Sequence, residues 1–318
     1  ICNKFEISDD GVLNLKGLSV VNGCQSLNTI LSCSERVKTL DDSYALFRFY
    51  EIPQRERADR ISTYTNSQSA VKPRDLRSND KHVLALKKSF EQKYPQGVLL
   101  TKRGEQALAS KDKNYVVDLS QLGKHLISWH SQRPNIAYGE TKIFDKYFEQ
   151  LFRRTYDPEN IQALNQWMSL ILKGWVPENP FGFNESLLAM KAYAPYHHLY
   201  AVSACFIIAN SQSEKAPQPK HTWEQAKKAG LQDVLAEIAA GCINTALESA
   251  AAEPQPQNRV FSPHNWIKSK SCLSAINAAI RQHFTMLRSM ANSKEHSTRL
   301  REGLKLDETS FENRWAAD

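Results

Sequence analysis

The sequence predicts an α/β (α+β) N-terminal part with a small, partly parallel sheet, followed by a mostly α-helical C-terminal part. Three observations carry this. Apolar runs of strand length lie on either side of a helical pattern before residue 52, two short strand patterns follow near residues 100 and 117, and helical periodicity dominates beyond Ser120. The 318 residues suffice for one large or two ordinary domains. A division near residue 155 is expected, into an α/β domain over 1–155, incomplete at its N-terminus, and a helical domain over 156–318.

The first unit reads as βαβ. Val12 to Val21 is apolar and extended, Asn22-Gly23 breaks it, and Leu27, Ile30, Leu31 and Val37 follow at helical spacing. After Asp41-Asp42-Ser43, the run from Tyr44 to Ile52 suits a strand covered on both faces. A right-handed crossover would make the two strands parallel and put Asn22-Gly23 at the carboxyl end of a strand, where α/β sheets place ligands.

A charged helix is expected from Pro53 to about Tyr64, then a polar segment from Thr65 to Lys72 ended by Pro73. One further helix should run from Arg74 or Asp75 to Lys93, and strands should follow at Val98–Lys102 and Tyr115–Leu119. Beyond them Leu119, Leu122, Leu126 and Ile127 share one helical face, and Ile143, Tyr147, Leu151 and Phe152 another. Candidate helices lie near 158–174, 185–210, 222–250 and 264–290, joined in part by the polar Pro/Gln-rich stretches 210–220 and 253–259.

Composition bounds the class. Hydrophobic residues are 41% and charged residues 24%, values of folded globular chains rather than disordered ones. No apolar run approaches the roughly 20 residues of a bilayer span, and the start lacks signal-peptide features, so a cytoplasmic protein with no membrane partner is expected. Because the chain starts at Ile1 in what reads as the end of a strand, an upstream natural N-terminus is also expected. Six scattered cysteines show no CxxC pair and no zinc-type spacing, so free thiols are expected, with no cofactor evident.

Positive charge is concentrated. From Pro53 to Lys113 there are 14 Lys/Arg and seven Asp/Glu, 14 − 7 = +7, equal to the net charge of the whole chain. Such a segment is either the footprint of a phosphate-bearing partner or a solvated helical face.

Several motifs sit in or near this region. Asn22-Gly23 at a strand end would leave backbone NH groups open to an anion, with Gln25, Ser26 and Asn28 on the first helical turn beside it. The bland alternative is a capping turn. Asn66, Ser67, Gln68 and Ser69 form either an exposed linker or a pocket wall near Arg74, Arg77, Asn79 and Asp80. Guanidinium forks grip phosphates, and amides read sugar or base. Lys102-Arg103 in a Gly-bearing turn adds a phosphate contact or is a plain hairpin tip.

Together these motifs resemble the AIPR (abortive infection phage resistance) family. The matching stretches are Val20-Val21-Asn22-Gly23-Cys24-Gln25-Ser26-Leu27-Asn28, then Thr65–Lys72 with Asp75-Leu76-Arg77-Ser78-Asn79-Asp80, then Lys102-Arg103-Gly104. A softer match runs from Arg133 to Ala137 and on through Lys142-Ile143-Phe144. Ser26 stands where the family has Thr, and Leu100-Thr101 stands where it has an aromatic and a further basic residue. The resemblance covers about residues 1–155 and implies a bacterial antiviral role.

The leading expectation is a defence protein that binds nucleic acid or a nucleotide through a basic, amide-rich cleft. A second is a metal-dependent nuclease or nucleotide-processing enzyme completed by the missing N-terminal region. Asp118 with Glu140-Thr141-Lys142 loosely imitates its acid, acid-x-Lys pattern, and a divalent metal enters only there. A third is a protein-interaction module whose helical half docks a partner. His197-His198, adjacent on a helix, and the six spread tryptophans are expected in the packing rather than at a metal or base.

Overall fold

The computed structural model describes residues 1–20, 24–40, 44–52, 72–254, 260–289 and 294–315. The chain forms two compact units, Ile1–Lys72 and Pro73–Asp318. In the first, β1 (Lys4–Ile7) and β2 (Leu13–Lys16) form an antiparallel hairpin, followed by the helices α1 (Cys24–Ser32) and α2 (Ser34–Val37). Gly11 turns the hairpin at φ +78°, a left-handed conformation that glycine adopts without steric cost.

The expected parallel βαβ is corrected here. The strand foreseen at 12–21 shortens to β2 and pairs with β1, and the run from Tyr44 contributes a single parallel bridge, Glu51 to Cys2. Closing a short hairpin costs less chain entropy than a crossover does, so local pairing wins. Nor is the run covered on both faces, since Tyr44 and Leu46 are 92% and 83% exposed.

The second unit opens with α3 (Pro73–Arg77) and α4 (Lys81–Lys93), not one continuous helix. Asp80 makes the break: its backbone is extended and its carboxylate accepts from the NH of His82 at 2.8 Å, capping α4. Then β3 (Val98–Leu100) and β4 (Val116–Asp118) pair in parallel, Leu99 opposite Val117, inside the expected strand ranges. Asp118 ends β4 and caps α5 (Leu119–Trp129), of which only Gln121 and Lys124 escape full burial.

The remaining helices are α6 (Glu140–Phe144), α7 (Phe148–Phe152), α8 (Pro158–Leu172), α9 (Glu185–Leu188) and α10 (Ala194–Ala209). After β5 (Lys215–Pro217) come α11 (Pro219–Ala229), α12 (Gln232–Ala252), α13 (Pro263–Trp266), α14 (Lys270–Ser289), α15 (Lys294–Leu304) and β6 (Phe311–Asn313). Residue 155 lies inside this unit, whose core runs from Val83 to Trp315.

Helix α10 is apolar all round, so it is the central helix, packed against α5, α8, α12 and α14. By length and composition α12 is apolar enough to cross a membrane, but Leu235, Ala239, Ile243 and Leu247 pack into the core. The paired histidines on α10 are both buried. His198 accepts from Trp175 Nε1 at 3.3 Å and donates Nε2–H to the Ala236 carbonyl at 2.7 Å, and burial lowers its pKa to about 4, so it packs as a neutral ring. Trp129, Trp167, Trp175, Trp266 and Trp315 are also buried, and Cys2, Cys33, Cys205, Cys242 and Cys272 are unpaired.

The C-terminal strand closes the unit. β6 pairs antiparallel with β5, the Trp315 ring stacks on His130 at 3.9 Å between centroids, and Arg154 lies 4.8 Å over the same indole. Replacing Trp315 with Ala removes a buried aromatic that ties the chain end to α5. A loss of about 3 kcal/mol is expected in urea unfolding, and a wild-type midpoint in W315A would contradict this packing.

Candidate functional site

Of the residues singled out in the sequence, Asn22, Gly23, Asn66, Ser67, Gln68 and Ser69 lie outside the described residues. Gln25, Ser26 and Asn28 fall on α1, with Ser26 and Asn28 exposed. The others belong to the second unit, where Arg74 and Arg77 face inward, Asn79 is exposed in the turn after α3, Asp80 caps α4, and Lys102 and Arg103 are exposed.

Arg74 is the most deeply placed cation of the set, its side chain only 11% exposed. Its Nη2 donates to Asp118 Oδ2 at 2.6 Å and its Nη1 lies 3.6 Å from Glu140 Oε1. The other oxygen of Asp118 accepts the NH groups of Ser120 and Gln121 at 2.8 and 3.2 Å, so one carboxylate both caps α5 and holds α3. Arg77 continues the docking: its Nε donates to the Phe144 carbonyl at 3.3 Å, and its guanidinium lies 4.3 Å over the Phe148 ring.

Asp118 and Glu140, the two acids of the nuclease-like pattern, thus meet around a guanidinium. Lys142 is exposed, and the sequence reading missed Lys124 beside them. Its ammonium lies 5.5 Å over the Tyr196 ring, and burial lowers its pKa, opposed by Glu140 and Asp118 and assisted by Arg74. The Tyr196 hydroxyl donates to Gln121 Oε1, and burial, then Asp118 and Glu140, raise its pKa. The usable signal was positional: Gln121 and Lys124, three residues apart, lie off the apolar face of the helix that Asp118 caps, and they are the two of its residues that escape full burial. Among the described residues no group of three or more His, Cys, Asp or Glu side chains is placed to hold a metal.

The Lys102-Arg103-Gly104 turn, with Gly104 at φ +73°, meets an internal anion through the Lys102 NH and that of the preceding Thr101. Glu105 Oε2 accepts from Thr101 N at 2.8 Å and Lys102 N at 3.0 Å, and its Oε1 pairs with Lys87 at 3.2 Å. Lys87 also donates to the Leu99 carbonyl at 2.8 Å, tying α4 to β3. The exposed Lys81, Lys88, Lys102 and Lys113 carry no ion pair among the described residues.

This geometry defines a helix-rich protein whose second unit is anchored by inward-facing arginines and shows unpaired lysines to solvent. The AIPR protein family model matches residues 1–250, and the chain belongs to that family. Its general role is therefore in phage resistance by abortive infection. No curated protein and no solved structure matches the chain.

Glu105 supplies a pH test. Burial works against its charge, but the Lys102 NH, the Lys87 ammonium and the Thr101 NH outweigh it and hold its pKa below the ordinary 4.5. A carboxylate lowered in this way stabilises the fold above its unfolded pKa, and that contribution is lost as pH falls through the lower, folded value. Glu105→Gln should therefore cost about 1 kcal/mol at neutral pH, with the gap to wild type closing below about pH 4. A gap independent of pH in urea titrations would contradict the assignment.

Proposed function

We propose that this AIPR family member serves phage defence by binding nucleic acid, or a nucleotide, through the outward-facing cations of the segment up to Lys113. The observation that carries the reading is charge that the fold leaves unneutralised. The net +7 of residues 53–113 equals that of the whole chain, and Lys81, Lys88, Lys102 and Lys113 point to solvent without acidic partners among the described residues. Phosphates meeting such lysines release counterions, which gives affinity with little sequence preference.

Arg74 and Arg77 enter this reading as positioning residues, because their guanidinium groups already hold α3 against α6 and α7. Arg74 also neutralises Asp118 and Glu140, which weighs against a metal bound between those two carboxylates and favours binding over metal-dependent cleavage at that point.

A second reading, a protein-interaction module, is favoured by Tyr44, Leu46, Phe47 and Tyr50, all more than half exposed in the first unit. It moves the docking surface from the helical half to this apolar run.

Anisotropy with a labelled oligonucleotide tests the binding reading. Affinity should fall at least tenfold from about 50 to about 200 mM salt. Replacing Lys81 and Lys88 with Glu should weaken low-salt binding by about tenfold. Salt-independent binding, or an unchanged double variant, would remove it, and a pull-down partner that survives nuclease treatment would favour the second reading.

A further inference from the structure

A cavity of about 500 Å³ lies within the second unit, between the C-terminal ends of α10 and α14 and one face of α15. Its size falls in the range of small-molecule sites. The wall is apolar where Ala209, Phe284, Leu287, Leu300 and Leu304 meet. Residues 297, 300, 301 and 304 lie on one stripe of α15, at the spacing that aims a single helix face at a common target.

Two features mark the cavity as more than a packing gap. Asn210 fastens its walls: Nδ2 donates to the Phe206 and Leu304 carbonyls at 2.8 and 2.7 Å, and Oδ1 accepts from Leu306 N at 3.0 Å, so the space is held open by hydrogen bonds. Ser297 lines it at 9% exposure, and its hydroxyl makes no hydrogen bond among the described residues. That hydroxyl is left open to a polar group placed in the cavity.

The rim sets the charge of that occupant. Arg301 and Lys305, one turn apart, line the exposed edge without ion pairs among the described residues, against Glu302 alone. We propose that this cavity binds a small amphipathic carboxylate, with an aryl or medium-chain alkyl body on the leucine and phenylalanine wall. The carboxylate lies between Arg301 and Lys305, and Ser297 donates to it. The site is separate from the lysines of the proposed nucleic-acid surface, so either assignment stands or falls without the other.

Fluorine NMR of the whole chain with 4-(trifluoromethyl)benzoate is the test, with the uncharged 4-(trifluoromethyl)benzamide as control. Saturable benzoate binding is expected, stronger than that of the amide. Ala209→Leu, which fills the apolar end, should weaken it about tenfold. Replacing both exposed cations, Arg301→Gln with Lys305→Gln, should abolish the preference for benzoate even if the Ala209 variant folds poorly. Binding absent up to about 10 mM, or a preference kept in the doubly neutralised variant, would overturn the proposal.

Discussion

The ion pair between Arg74 and Asp118 is the constraint on which the start of the second unit depends. Asp118 closes the parallel strand pair, caps α5 with one oxygen and holds α3 with the other. A carboxylate with these partners has few arrangements open to it, and Arg74, with Glu140 on its other side, has few as well. The position of α3 follows, and Asp80 then starts α4 at the end of the next turn. The Arg74 and Arg77 contacts together join α3 to the end of β4 and to α6 and α7.

Charge in this part of the chain sorts by depth. Arg74, Arg77 and Lys87 are partly or largely covered, and each meets a carboxylate or a carbonyl, because a cation taken from water without a partner is expensive. Lys81, Lys88, Lys102 and Lys113 remain in solvent and keep their positive field. One basic segment thus divides between cations that build the fold and cations open to a ligand. Glu105 shows the same economy in reverse, since the turn that looked ready for an external anion already holds an internal one.

Much of the second unit was legible. β3 and β4 fall inside the expected strand ranges, the predicted face of α5 is buried, and five of the six tryptophans sit in the core, because apolar periodicity survives wherever a large core exists to receive it. The single helix expected from Arg74 to Lys93 breaks at Asp80, where the preference of a carboxylate for capping outweighs helical continuity. The βαβ reading of the first unit took its two strands from apolar runs, and a run such as Tyr44 to Tyr50 shows only that cover is wanted, not which strand supplies it. The inward turn of Arg74 was not legible, since its partners lie 44 and 66 residues further along the chain.

A double-mutant cycle on Arg74→Ala and Asp118→Ala tests this account most directly, because it cancels the separate loss of the α5 cap and leaves the pair alone. A coupling energy of about 2 kcal/mol is predicted from urea unfolding of the four proteins. A coupling indistinguishable from zero would contradict the claim that this ion pair holds α3.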